Sequence, residues 1–111
     1  RPATTSPKVV RDVIRGEIGF EGLLMSDDLS MNALAGSLAA RAKAALFAGC
    51  DIVLHCNGKM DEMKEVAGES RPLEGPPWER AELALSHLAP PEAFDAAAAE
   101  ARLTELLATV A

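Results

Sequence analysis

The chain has 111 residues, of which 49% are hydrophobic and 25% are charged, with a formal net charge of −6. This composition is typical of a globular protein, and the acidic balance without a Lys/Arg cluster excludes nucleic acid and anionic lipid as expected partners. No apolar run approaches the ~20 residues that a membrane-spanning helix needs, so we expect no membrane association.

The first two predicted elements are a helix and a buried strand. A serine and a proline precede apolar residues at helical spacing, which predicts a helix over residues 7–18. The short apolar run 22–26 lacks polar alternation, as strands buried on both faces of a parallel sheet do. Asp27 and Asp28 follow at the C-terminal end of this strand.

A second helix and a second strand come next. An apolar stripe closed by Gly49 predicts a helix over 37–49, and the run 51–56 predicts another buried strand. Residues 60–67 then return to helical spacing. This alternation of helices and strands predicts βαβ units in a parallel sheet, and therefore the α/β fold class.

The last part of the chain predicts a loop and two more helices. Residues 68–77 are rich in Gly and Pro and read as a connecting loop, after which Pro77 begins one helix. The pair Pro90 and Pro91 ends that helix and opens the second. Residues 78–111 therefore form a predicted helical extension.

Two buried parallel strands lack the neighbours that such strands require on both sides. A (β/α)8 TIM barrel takes typically ~250 residues, so residues 1–67 are predicted to be a βαβα segment of one. A small three-layer domain that gains strands by dimerising would also satisfy the pattern. In either case we expect association with the rest of a barrel or with a second copy.

The two cysteines flank the second predicted strand. Six extended residues separate Cys50 from Cys56 by roughly 20 Å, whereas a disulfide needs Cα atoms within about 7 Å. We therefore expect reduced thiols, which agrees with a cytoplasmic protein.

The run from Met25 to Met31 is the strongest candidate for a site, because it places adjacent carboxylates at the end of a strand where α/β folds bind ligands. One aspartate could be a glycosidase nucleophile. Alternatively, Asp27 and Asp28 could hold Mg²⁺ for phosphotransfer, or could only cap the turn after the strand. The residues alone leave these three possibilities open.

The run 14–31 closely resembles the nucleophile segment of the bacterial β-N-acetylglucosaminidases of glycoside hydrolase family three that recycle peptidoglycan. Residues 1–4 and 48–54 are also similar to that family. The resemblance implies that Asp27 is the nucleophile of a retaining mechanism without a metal or organic cofactor. It also implies that the chain is the C-terminal part of the catalytic barrel. Asp28 receives no catalytic role, and we expect it to orient the loop or accept a backbone hydrogen bond.

The sequence departs from the family at the acid/base. Family members resemble one another in a loop rich in Lys-His and Pro-Gly whose histidine is the general acid/base, and this chain has no such loop. Its two histidines are His55 and His87. We expect His87 at the surface, and His55 as a packing residue at the end of the second strand rather than an acid.

The resemblance therefore implies a parent enzyme that removes terminal β-linked N-acetylglucosamine from peptidoglycan-derived saccharides, while the chain by itself is predicted to be inactive. The alternatives are a non-catalytic α/β fragment or interaction piece, or a Mg²⁺-dependent phosphotransfer domain.

Four further residues are candidates for a site. Asp51 is expected to cap or pair at the opposite end of its strand. Asn57 and Gly58 could contact a ligand or only form a turn, and Cys56 lacks an obvious catalytic partner. No residue is assigned to substrate binding or to a metal.

Overall fold

The computed structural model describes residues 2–109 and shows a mixed α/β chain. The elements in order are a 3₁₀ turn (Ala3–Thr5), a π-helix (Val9–Glu17), β1 (Met25–Asp28), α1 (Leu38–Ala48), β2 (Ile52–Leu54), α2 (Met60–Glu69), α3 (Pro76–Ser86) and α4 (Ala96–Ala108). Arg1, Val110 and Ala111, which the predicted domains include, lie outside the described residues.

The predicted first helix is present, but most of it is wound as a π-helix. The Ile18 N–H donates to the Val13 carbonyl oxygen at 2.8 Å, which is the i→i+5 bond of a π-helix. Gly19 ends the helix with a φ of 69°. Apolar spacing predicts a helix here without distinguishing its winding.

The predicted parallel pairing is confirmed, whereas the predicted strand bounds are wrong. β1 begins three residues later than expected because Leu24 pairs with Asp51 outside the strand ladder. The Leu24 N–H donates to Asp51 Oδ2 at 2.8 Å, and the Asp51 N–H donates to the Leu24 oxygen at 2.8 Å. β2 is also shorter than predicted and covers only Ile52–Leu54.

A small core lies between the two strands, α1 and α2. Ser37 caps α1 by accepting a hydrogen bond from the Ala40 N–H at 3.2 Å, and Gly49 ends the helix with a φ of 111°. Both ends of this helix agree with the sequence. The buried residues of the core cluster are Leu29, Leu34, Ala42, Ala45, Cys50 and Val66.

The last two helices contribute no residue to this core. Since α2 reaches Glu69 and α3 begins at Pro76, the connecting loop is shorter than the predicted 68–77. α4 begins at Ala96 rather than at Pro91, because Asp95 provides the N-cap by accepting from the Ala98 N–H at 3.0 Å. Neither α3 nor α4 contains a buried residue.

The overall dimensions reflect this arrangement. The radius of gyration is 18.7 Å, compared with the ~13 Å of a compact domain of ~100 residues. Over residues 2–109, no helix combines the length and apolar character needed to cross a membrane.

Candidate active site

Asp27 and Asp28 are the last two residues of β1, at the edge where β2 also ends. The strands are parallel, with Asp28 opposite Leu54, so their C-terminal ends share one edge of the sheet. Asp27 is exposed, and its Oδ1 accepts a hydrogen bond from the Asp28 N–H at 2.8 Å. The carboxylate of Asp27 is therefore both accessible and oriented by the backbone.

Asp28 is held by its neighbours. Its Oδ1 accepts from the Ser30 N–H at 3.0 Å and from the Cys56 N–H at 3.2 Å, and its Oδ2 accepts from the Ser30 hydroxyl. The Ser30 hydroxyl, followed by the backbone N–H donors of Ser30 and Cys56, lowers the pKa of Asp28 below its ordinary value. These contacts agree with the expectation that Asp28 accepts a backbone hydrogen bond and orients the loop.

Ser26 supports the same strand end, although its role was not predicted. Four residues of β1 face three of β2, so the ladder is irregular between Met25 and Asp28. The buried Ser26 hydroxyl fills the gap, because it accepts from the Leu54 N–H at 3.0 Å and donates to the Asp27 carbonyl oxygen at 2.8 Å. No local sequence signal predicts this role, because it depends on the register of the two strands.

His55 lies directly after β2, and only 5% of its side chain is exposed. Its Nδ1 is 3.8 Å from Asp28 Oδ1, and its Nε2 is 3.1 Å from Glu62 Oε2 on α2. Within residues 2–109, neither ring nitrogen forms a well-aligned hydrogen bond. The histidine is thus buried as expected, but between two carboxylates rather than among apolar groups.

Glu62 is the second carboxylate beside His55 and was not predicted as part of the site. Its Oε1 lies 3.2 Å from Lys59 Nζ, and its Oε2 accepts from the Asn57 amide. The Asn57 amide is the main cause that lowers the pKa of Glu62. The helical pattern around residue 62 contains no signal for this contact, because it cannot reveal that the glutamate faces His55 after β2.

Asp51 lies at the other end of β2 and pairs there, as predicted. Only 3% of its side chain is exposed, and it binds Arg15 at 2.9 Å and Arg80 at 2.7 Å. Arg15 also donates to the carbonyl oxygens of Phe20 and Gly22, each at 2.7 Å. This buried group joins the π-helix, the start of β1 and α3 into one structural unit.

The remaining candidates have mainly structural contacts. Asn57 Oδ1 accepts from the Lys59 N–H at 3.0 Å, as in a turn or cap, and His87 is exposed after α3. Cys56 is an exposed free thiol, whereas Cys50 is buried, which raises the pKa of its thiol. In the part of the chain that the structure describes, no three His, Cys, Asp or Glu residues are grouped to hold a metal ion.

Two surface grooves lie at opposite ends of the sheet. A polar groove of about 460 Å³ lies beyond the C-terminal ends of the strands and is lined by Ser30, Arg41, Asn57 and Glu62, among others. A larger groove of about 660 Å³ lies at the Asp51 end, away from Asp27. Groove size alone would therefore point to the wrong end of the sheet for the candidate nucleophile.

Residues 1–74 match the glycosyl hydrolase family 3 N-terminal domain. The chain belongs to this family. The matched domain is a TIM-barrel-type region, in agreement with the parallel strands and alternating helices of this chain.

Similar curated proteins carry the name β-hexosaminidase. The protein of Tolumonas auensis is 43% identical over 88 residues, which is 78% of this chain and 25% of that protein. The protein of Alkalilimnicola ehrlichii is 55% identical over 58 residues, or 50% of this chain and 17% of that protein. The chain therefore spans about a quarter or less of the length of these relatives.

Proposed function

We propose that this chain is the segment of a retaining β-N-acetylhexosaminidase that carries the nucleophile Asp27. The observation that supports it most is the exposed carboxylate at the C-terminal end of a parallel strand, oriented by the Asp28 N–H at 2.8 Å. A retaining mechanism needs such a rigid, ionised carboxylate beneath the anomeric carbon of the sugar. The similarity to proteins named β-hexosaminidase supports the same assignment.

In the proposed reaction, the free oxygen of Asp27 attacks the anomeric carbon while the glycosidic bond breaks. The leaving oxygen takes a proton from a general acid, and water then hydrolyses the glycosyl ester. The Asp28 N–H, bonded to Oδ1, leaves Oδ2 of Asp27 as the attacking atom. The substrate is a saccharide with a terminal β-linked N-acetylglucosamine derived from peptidoglycan, and no metal or organic cofactor takes part.

We further propose that residues 1–67 are the C-terminal βαβα segment of the barrel and that the acid/base lies outside this chain. Retaining hydrolysis needs two groups about 5 Å apart across the bond. His55 does not offer the second group, because its ring is buried. The proposed location is the cytoplasm, where the free thiols of Cys50 and Cys56 stay reduced.

The nucleophile is tested by trapping with a mechanism-based fluorosugar in the full-length enzyme. We expect one glycosyl adduct on Asp27 in the wild type and none in Asp27→Ala. Asp12→Asn is the control, because Asp12 is an exposed carboxylate on the π-helix and pairs with Arg11. An adduct that persists in Asp27→Ala would show that the assignment is wrong.

The missing acid/base is tested on the 111-residue chain with a chromogenic N-acetylglucosaminide. We expect no turnover above the Asp27→Ala background, because only one of the two required groups is present. Turnover by the wild-type chain would mean that the acid/base lies within these residues.

A further inference from the structure

We propose that His55 is a positioning residue that couples helix α2 to the strand end carrying Asp27. The catalytic consequence of this proposal rests on the proposed function, whereas its structural part does not. His55 connects three elements, since it follows β2 and faces Asp28 on β1 at 3.8 Å and Glu62 on α2 at 3.1 Å.

The two nitrogens of the His55 ring determine how it can contact the neighbouring carboxylates. A neutral imidazole has one N–H and one acceptor nitrogen, whereas an ionised carboxylate can only accept. At 3.1 Å, Nε2 faces Glu62 Oε2 closely enough for an N–H donor there, whereas Nδ1 is 3.8 Å from Asp28 Oδ1 and contacts it without a hydrogen bond.

Charged groups face the ring from two other elements. Asp28 faces it from β1 and Glu62 faces it from α2, and the pKa values of both carboxyl groups are lowered, mainly by Ser30 and Asn57 respectively. Lys59, before α2, is the nearby cation and pairs with Glu62 at 3.2 Å. Two anions and one cation thus surround a ring that is 5% exposed.

The coupling reaches Asp27 through short contacts. The Cys56 N–H, one residue after His55, donates to Asp28 Oδ1 at 3.2 Å, and the Asp28 N–H donates to Asp27 Oδ1 at 2.8 Å. Without the ring, Asp28 and Glu62 lose the group that lies between them. We expect Asp28 and the carboxylate of Asp27 to become less fixed as a result.

The structural part is tested by NMR of the 111-residue chain and of two variants. We expect the amide resonances of Asp27, Asp28 and Glu62 to shift in His55→Gln. They should stay in place in His87→Gln, the matched variant at the exposed histidine. Unchanged resonances of Asp27 and Asp28 in His55→Gln would overturn the proposal.

The catalytic part is tested in the full-length enzyme with a glycosyl fluoride label, whose leaving group departs without a general acid. Because a shift of ~1 Å can cost ~10²-fold in rate, we expect His55→Gln and Glu62→Gln to slow labelling by roughly 10- to 100-fold. His87→Gln should label like the wild type.

These outcomes separate the two proposals. Wild-type labelling rates on Asp27 in both folded variants would overturn positioning by His55 and leave the nucleophile intact. Labelling at a residue other than Asp27, with the NMR shifts of His55→Gln present, would overturn the nucleophile and leave the structural coupling. Glu62→Gln keeps the test decisive if His55→Gln fails to give a cooperative thermal melt.

Discussion

Two parts of the molecule differ in how their apolar residues are packed. The first part runs from the π-helix to α2, and the second is formed by α3 and α4. Both carry apolar residues at helical spacing, but only the first part packs them into a core around Leu29. In α3 and α4 no residue is buried, and Leu88 and Phe94, which lie between these helices, are largely exposed. Apolar residues at helical spacing thus predict a helix, but they become buried only where another element packs against them.

The two parts are connected by the ion pair between Asp51 and Arg80, which lies beside the larger surface groove. Trp78, the single tryptophan of the chain, lies on α3 close to Arg80 and is half exposed. Trp78 fluorescence therefore reports on the part formed by α3 and α4, whereas the free energy of unfolding of the core reports on the first part. This difference allows each part to be measured separately.

The largest expected effect comes from Asp51→Ala, which breaks the connection. The change leaves Arg15 and Arg80 without their buried partner, and removing one member of a buried pair costs about 3–5 kcal/mol. We expect the free energy of unfolding in urea to fall by that amount, with a change in Trp78 fluorescence. Glu105→Ala, in an exposed pair with Arg102, is the control and should cost less than about 1 kcal/mol. Equal losses in both variants would contradict the buried connection.

A matched pair of leucines tests whether the second part lacks a core. Leu29 is 0% exposed, so Leu29→Ala should lower the free energy of unfolding by about 2–5 kcal/mol. Leu103 on α4 is 55% exposed, and Leu103→Ala should change it by no more than about 0.5 kcal/mol. A large loss in the second variant would mean that α4 packs against another surface in solution.

The smallest effect is an acid dependence confined to the first part. Because the pKa of Asp28 is lowered in the folded chain, its stabilising contribution is complete above its unfolded pKa of ~3.9 and is lost as the pH falls through the folded value. Asp28→Asn should therefore be less stable than the wild type at about pH 6 and approach it at about pH 3. Denaturant unfolding at several pH values checks this. Parallel stability curves would show that Asp28 is not linked to folding.

Much of the fold follows from local sequence signals. Ser37 and Gly49 bound α1 because capping is local, and the apolar runs give the two parallel strands their approximate places. The beginning of β1 was wrong because it depends on Asp51, which lies 27 residues away from its hydrogen-bond partner Leu24. The beginning of α4 was wrong because the cap at Asp95 outweighed the prolines as a start signal.

The candidate site was predictable only in part. Asp27 stands out because of the family resemblance, and its position at a strand end follows from the apolar run before it. The roles of Ser26 and Glu62 depend on the strand register and on the packing of α2, neither of which has a local signal. For the same reason His55 could be recognised as buried but not as a neighbour of two carboxylates.

The winding of the π-helix determines where Arg15 points. An α-helix turns by about 100° per residue and the wider π-helix by less, so rewinding residues 9–15 as an α-helix of the same length would turn the arginine to another side. Arg15 would then leave Asp51 and the carbonyl groups of Phe20 and Gly22. The winding of this segment, and not only its chemistry, is therefore part of what keeps the arginine in place.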